Sequence, residues 1–174
     1  MKNSNSISGD IILFISFLIA QILLTNFIDF GPLVFISVYP LYILTRPRHI
    51  NSVVSIVTAF ILGFLTDYFT GSILGINAAA ATLLAFAQPL LLKVVTRKES
   101  NEGPLRPGIA DLGFRRFIII LLSGLILHHI AIIWLENFSL QIDFYSFLRI
   151  IISLVLNFIL LTMIEFGIFY KNLR

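Results

Sequence analysis

Two adjacent histidines, His128 and His129, and a carboxylate set among glycines, Asp67, are the residues whose type and spacing could do chemistry. An imidazole changes charge near physiological pH, so it can relay a proton or ligate a metal. Neighbouring helix positions diverge by ~100°, so the two rings cannot share one helix face. His129 does share a stripe with Glu136, two turns further on, which is a spacing that suits a proton path. A further deep acid on that stripe would be needed to complete it, and the sequence has none. Two readings stay open for the pair: neutral, hydrogen-bonded packing groups, or ionisable residues with a functional role inside an apolar segment. No metal-ligand set accompanies them, and no cofactor is expected.

Asp67 lies in the stretch GFLTDYFTGSILGINAAAATLLAF. Gly63, Asp67 and Gly71 recur every fourth residue and share one helix face, while Gly75 and Asn77 open the next helix. Small residues at Gly63 and from Ala78 to Ala81 let two backbones approach closely. Asp67 then either caps the turn or the following helix, or joins Asn77 in lining a small outward-facing polar pocket for a partner helix or a ligand. Elsewhere Gln21, Gln88 before Pro89, and Ser153 with Asn157 one turn on mark helix faces turned inward. Glu165, about one turn from a span end, is expected to snorkel to the headgroups. No nucleophile elbow, zinc-binding HExxH, phosphate loop or acid–base carboxylate pair is present, so nothing points to an enzyme.

The elements that position these residues follow from composition. Hydrophobic residues make up 58% of the 174 and charged ones 12%, with a mean hydropathy of +0.99, so lipid and not water must solvate most of the surface. Six apolar blocks read as spans: 11–28, 32–44, 53–69, 73–95, 117–135 and 147–170. The second is short for ~30 Å of hydrocarbon, and it carries Pro32 in its first turn and Pro40 as a kink in its middle. It spans if its helix begins near Asp29; otherwise it is re-entrant. Charge favours the span: with six crossings eleven of the twelve Lys and Arg fall on one side, and only Arg149 lies opposite, where Asp29, Asp67, Glu136 and Asp143 gather. A re-entrant second block would export Arg46 and Arg48.

The result is a single all-α, six-helix membrane domain over 1–174 with both termini inside. An irregular cytoplasmic loop at about 96–116, broken by Pro104 and Pro107, anchors to anionic lipid or docks a partner. Phe27, Phe30, Trp134, Tyr145 and Tyr170 fall near span ends as interfacial anchors. The net charge of +3 is scattered among short segments beside the bilayer, so no nucleic acid is expected as a partner. Transporters carry interrupted helices at matching places in two halves; the short second block and Pro89 do not match.

The hairpin motif, the string LILHHIAIIWLENFSL in the fifth span and the six-helix layout with its basic fourth loop resemble the rod shape-determining protein MreD family. The likeness covers nearly the whole chain, and Gly63, Asp67, Gly71 and Gly75 match the family's recurrent motif. It implies a fold similar to the substrate-binding subunits of energy-coupling-factor transporters and a place in the bacterial inner membrane. It also implies a non-enzymatic scaffold that pairs with the transmembrane helix of MreC. The wall-synthesising glycosyltransferase and transpeptidase, and MreB filaments indirectly, would belong to the same assembly. A vitamin-like small-molecule binding or transport subunit is the alternative. Gly63, Asp67, Gly71, Gly75, Asn77, His128 and His129 are the candidate partner- or pocket-lining residues.

Overall fold

A computed structural model describes residues 4–28, 30–47, 50–96, 106–137 and 143–170. Asp29, Arg48, Arg97, Lys98, Pro104, Ser139 and both extreme termini lie outside the described residues, and the sidedness assigned to those charges stays an expectation.

All the regular structure among the described residues is helical. In chain order the elements are α1 (Ser4–Phe27), α2 (Tyr39–Leu44), α3 (Ser52–Thr70), α4 (Ile76–Val95), α5 (Ile109–Leu112), α6 (Phe114–Asn137) and α7 (Phe144–Ile164), and α7 continues as a π-helix over Glu165–Tyr170. Among the described residues five helices are long and apolar enough to cross a membrane, and the chain is a multi-pass membrane protein on that ground. Their lipid-side stripes are large and apolar, such as Ile12, Ile15 and Ile19 on α1 and Leu83, Phe86 and Leu90 on α4. The 96–116 stretch is less irregular than its prolines suggest: α5 forms within it, and α6 starts at Phe114, taking in Arg115 and Arg116.

The second apolar block departs from a single kinked helix. Only six residues, Tyr39–Leu44, are helical, and the stretch before them is unwound. Pro40 gives the reason. A continuous helix would need the residue at position 40 to donate to the carbonyl of Ile36, but proline has no N–H and its ring clashes with that carbonyl. Pro40 is tolerated in the first turn of α2, where no donor is required. The β-branched Val34, Ile36 and Val38 favour non-helical backbone in the stretch before it.

This block nevertheless travels the length of the bundle, antiparallel to α1. Ile36 and Val38 bond Gln21 near the later part of α1, Tyr42 packs on Phe14 and Phe17, and Arg46 pairs with Asp10 near its start at 2.5 Å. The end holding Asp10 and Arg46 is here called proximal. Gln88 of α4 donates to the Arg46 carbonyl, and Phe17 stacks on Phe169, so the last described residues return to the proximal end. At the distal end Asn26 donates to the carbonyl of Phe69, closing α1 onto α3.

Tight packing of α3 on α4 anchors the core. A Cβ at Gly63 would lie 2.6 Å from both Cα and N of Ala78, so only glycine allows this approach. Gly71 (φ 66) ends α3 in the left-handed region, and Gly75 (φ 101) precedes α4 in it, which together fold the chain into a tight hairpin. Across the bundle Gly124 of α6 admits the side chain of Leu44: an added Cβ would meet it at 2.6 Å.

Candidate functional site

Asp67 is fully buried and points across the hairpin. Its Oδ2 accepts from the backbone N–H of Gly75 (2.9 Å) and Ala78 (3.2 Å), and its Oδ1 from the backbone N–H (3.1 Å) and side-chain amide (2.8 Å) of Asn77. One carboxylate thus satisfies three backbone donors around the first turn of α4 that have no partner within the helix. Positive partial charge at a helix N-terminus favours that placement. Of the two sequence readings, the capping one describes Asp67: it caps the following helix, and no free oxygen is left to face a pocket.

The bonding continues inward. Asn77 Oδ1 accepts from the Tyr39 hydroxyl at 2.8 Å, and that hydroxyl lies 2.7 Å from His128 Nε2. Directions follow from the acceptor-only end. The Asn77 amide nitrogen must face Asp67, so its oxygen faces Tyr39; Tyr39 must then donate to Asn77, and His128 must donate from Nε2 to Tyr39. His128 is thereby the Nε2–H tautomer, and its buried Nδ1 has no partner. Asp67, Asn77, Tyr39 and His128 form one chain across α3, α4, α2 and α6.

His129 joins a different network. Its Nε2 lies 3.2 Å from Asn157 Nδ2, and its ring sits 4.6 Å from that of Phe35. Glu136 instead pairs with Arg149 of α7. The stripe shared by His129 and Glu136 is therefore not joined by bonds, and both histidines are fully buried, each within hydrogen-bond distance of a neighbouring helix's side chain. Among the described residues no group of three or more His, Asp and Glu is placed to hold a metal.

The polar residues on the inward faces of α1 and α7 serve the unwound stretch. Gln21 accepts from Val38 N–H (2.7 Å) and donates to the Ile36 carbonyl (2.8 Å). Asn157 accepts from Ser37 N–H (2.7 Å) and donates to the Phe35 carbonyl (2.8 Å), while Ser153 accepts from Phe35 N–H (3.0 Å). A side-chain amide presents the donor and acceptor of a peptide unit, so each bridges alternate residues as a neighbouring β-strand would. Even positions bond α1 and odd positions bond α7. The Ile36 carbonyl, which Pro40 cannot serve, is the one Gln21 takes.

Glu165 does not snorkel. It is 1% exposed, receives Arg106 through both carboxylate oxygens (2.8 and 2.6 Å) and accepts from Ile109 N–H (3.1 Å). The Arg106 guanidinium also lies 3.8 Å from the centre of the Phe169 ring. These contacts pin α5 and the residues before it to the π-helical end of α7. Asp143, outside the spans, caps α7: bonds from the Ser146 side chain and backbone N–H hold its carboxyl below the ordinary 3.8.

Between the distal ends of α1, α3, α6 and α7 lies a cavity of about 470 Å³. Its lining includes Ser37 and Phe35 from the unwound stretch, Thr66 and Thr70 from α3, and the Glu136–Arg149 pair. Of the sequence candidates only Asn77 borders it, and Asn77 joins it to the Tyr39–His128 chain. Gly63 faces α4, Gly71 and Gly75 shape the turn, and Asp67, His128 and His129 lie behind the lining. Sequence reasoning missed Thr66, Thr70 and Arg149; hydroxyls near a span end beside a cation were the available signal. No family model matches the chain, and neither the curated proteins nor the solved structures contain a match.

Proposed function

We propose that this chain is a non-enzymatic scaffold of the bacterial cell-wall elongation machinery, similar to the MreD family, residing in the inner membrane and receiving the transmembrane helix of MreC. The observation that carries the reading is how the interior polar groups are spent: Gln21, Asp67, Ser153 and Asn157 bond irregular backbone of this same chain and leave no reacting group between them. The outer helices are free for a partner. Only 11% of the α1 span and 17% of the α7 span are buried, and the two flank the partly exposed stretch 33–36. The partner helix lies against those exposed, lipid-facing stripes of α1 and α7. Gly63 is already occupied by α4 and does not receive it.

In the same reading the bundle makes six crossings with both ends in the cytoplasm, the second crossing being the unwound stretch followed by α2. Its run from the distal end to Arg46 beside Asp10 supports this, since a re-entrant segment would turn back. Alkaline phosphatase fused after Arg48 is then inactive, and a fusion after Ser139 is active.

The chain has no cysteine, so single cysteines can be added to an unreactive background. Cysteines at Ile19 and Val155, both exposed, cross-link to a cysteine in the MreC transmembrane helix, whereas one at Phe86 of α4 does not. Cross-linking from Phe86 alone, or failure of the two proteins to co-purify, overturns the assignment. A small-molecule binding subunit is the second reading, favoured by one observation, the distal cavity.

A further inference from the structure

We infer that the distal cavity binds a small uncharged or cationic molecule bearing several N–H or O–H donors on an apolar ring, and that it rejects anions. The inference rests on the second reading above, that the chain binds a small molecule at all.

The chemistry comes from where the lining hydrogens already point. Thr66 donates its hydroxyl hydrogen to the Leu62 carbonyl (2.9 Å), and Thr70 donates its own to the Thr66 carbonyl (2.8 Å). Ser72, 2.8 Å from Thr70 Oγ1, must then be the donor of that pair. Asn26 directs its amide nitrogen to the Phe69 carbonyl (3.0 Å), which leaves its Oδ1 unspent. The amides of Gln21 and Asn77 are bridged on both sides. What these groups still offer is oxygen lone pairs.

Charge reinforces this. Among the described residues Arg149 is the only cation on the lining, and both of its Nη groups are bonded to Glu136, so the ion pair adds no net charge and keeps a carboxylate at the wall. Arg149 Nε is a buried donor without a partner, and each Nη keeps a second hydrogen, so a ligand can carry an acceptor beside its donors. An anion would face several lone pairs and a carboxylate, with no cation left to neutralise it. An ammonium or a neutral donor would satisfy those oxygens. Phe27 and Phe30 at the rim, 79% and 40% exposed, and Phe35 inside supply ring faces for stacking or for a cation. The volume of about 470 Å³ falls within the ~300–1,000 Å³ of small-molecule sites.

Three probes that share one ring and differ at the end group test this: tryptamine, tryptophol and indole-3-acetate. Each is titrated calorimetrically into the full chain in lipid nanodiscs, with empty nanodiscs subtracted. Tryptamine and tryptophol are expected to bind saturably and indole-3-acetate at least tenfold more weakly. Thr66→Val and Thr70→Val keep the shape and remove the lone pairs, and each should weaken tryptamine at least tenfold. Ser72→Ala, at an exposed position, gives the same test if a threonine variant fails to fold. Binding of indole-3-acetate as tight as that of tryptamine overturns the ligand class and leaves the small-molecule reading standing. Saturable binding untouched by all three substitutions removes the site from this cavity. Absence of binding by every probe at millimolar concentration, to protein whose thermal transition is intact, overturns both.

Discussion

Replacing Asn157 with leucine isolates what the unwound stretch depends on. Leucine keeps the branching at Cγ and is larger than asparagine, so the change removes an amide without opening a cavity. It strips the partner from Ser37 N–H and from the Phe35 carbonyl, held at 2.7 and 2.8 Å. Two magnitudes compete. Side-chain hydrogen bonds between membrane helices are worth ~0.6 kcal/mol on average, because displaced groups find other partners, and two would cost about 1.2 kcal/mol. A buried backbone group left with no partner costs ~1–3 kcal/mol, and two would cost roughly 2–6. The second applies here, since Pro40 prevents the stretch from rewinding into a helix that would satisfy itself and Ser37 is 2% exposed. At ~2–4 °C per kcal/mol for a chain of this size, a loss near the middle of that range lowers the thermal midpoint in detergent by about 5–15 °C. Gln21→Leu should do the same from the other side. Both amides hold the same few residues, so once one is gone the second has less to lose, and the double variant falls short of the sum by about 1 kcal/mol. A midpoint for Asn157→Leu within ~2 °C of the parent, or strict additivity of the pair, would refute the reasoning.

Gly63→Ala should destabilise by about 1–3 kcal/mol, because backbone of Ala78 at 2.6 Å cannot yield and overpacking outweighs the ~1 kcal/mol of helix propensity gained. Gly9→Ala, where the added methyl meets nothing within 4 Å, is the matched control and should leave the midpoint unchanged or raise it. Asp67→Leu leaves four donors of the hairpin without an acceptor, so membrane insertion persists while the midpoint falls; an unchanged midpoint with loss of partner recovery would make Asp67 a contact residue instead. Glu165→Gln loosens the segment that Arg106 ties down, and amide exchange at Ile109, whose N–H is bonded to Glu165, should become several-fold faster. Asp143 has its carboxyl pKa lowered on folding, so its capping contribution is complete above ~4 and is lost as pH falls through the lowered value; protection of the Ser146 amide, taken relative to its intrinsic exchange rate, should fall only in that acid range and stay constant there in Asp143→Asn.

The parts legible in the sequence are those set by short spacing. Gly63 and Asp67 sit one turn apart on a helix whose next turn brings Gly71, and that pattern announces a tight hairpin with a capped second helix. Gln21, Ser153 and Asn157 are recognisably inward because amides and hydroxyls are costly in lipid. What they bond was not legible. Hydropathy sums apolar side chains and is blind to backbone, so the second block scores alike whether wound or unwound; only Pro40 and the alternating β-branched residues hinted at the break. Arg106 with Glu165 was hidden because 59 residues separate them and a carboxylate one turn from a span end has water as a simpler partner. The Glu136–Arg149 pair crosses from α6 to α7 and needed the register of both helices.

Unwound backbone at membrane depth is costly, and it is kept only where protein covers it or where it borders a cavity. Three side chains on two helices are committed to this one: Gln21, Ser153 and Asn157. Substituting Pro40 and winding the block into a plain helix would release all three and remove the need for buried amides. Retention of the break therefore points to something a wound helix would not provide. Gly31, Val34, Phe35, Ile36 and Ser37 all border the distal cavity, so the side of the stretch that is not bonded to its supports is the cavity wall. A helix along the same path would bring side chains around its whole circumference and fill the space between α1 and α7. The amide ladder and the cavity are then one feature, and Asn157→Leu should weaken tryptamine binding as well as lower the thermal midpoint. Loss of stability with binding untouched would separate the two and return the unwound stretch to a purely structural role.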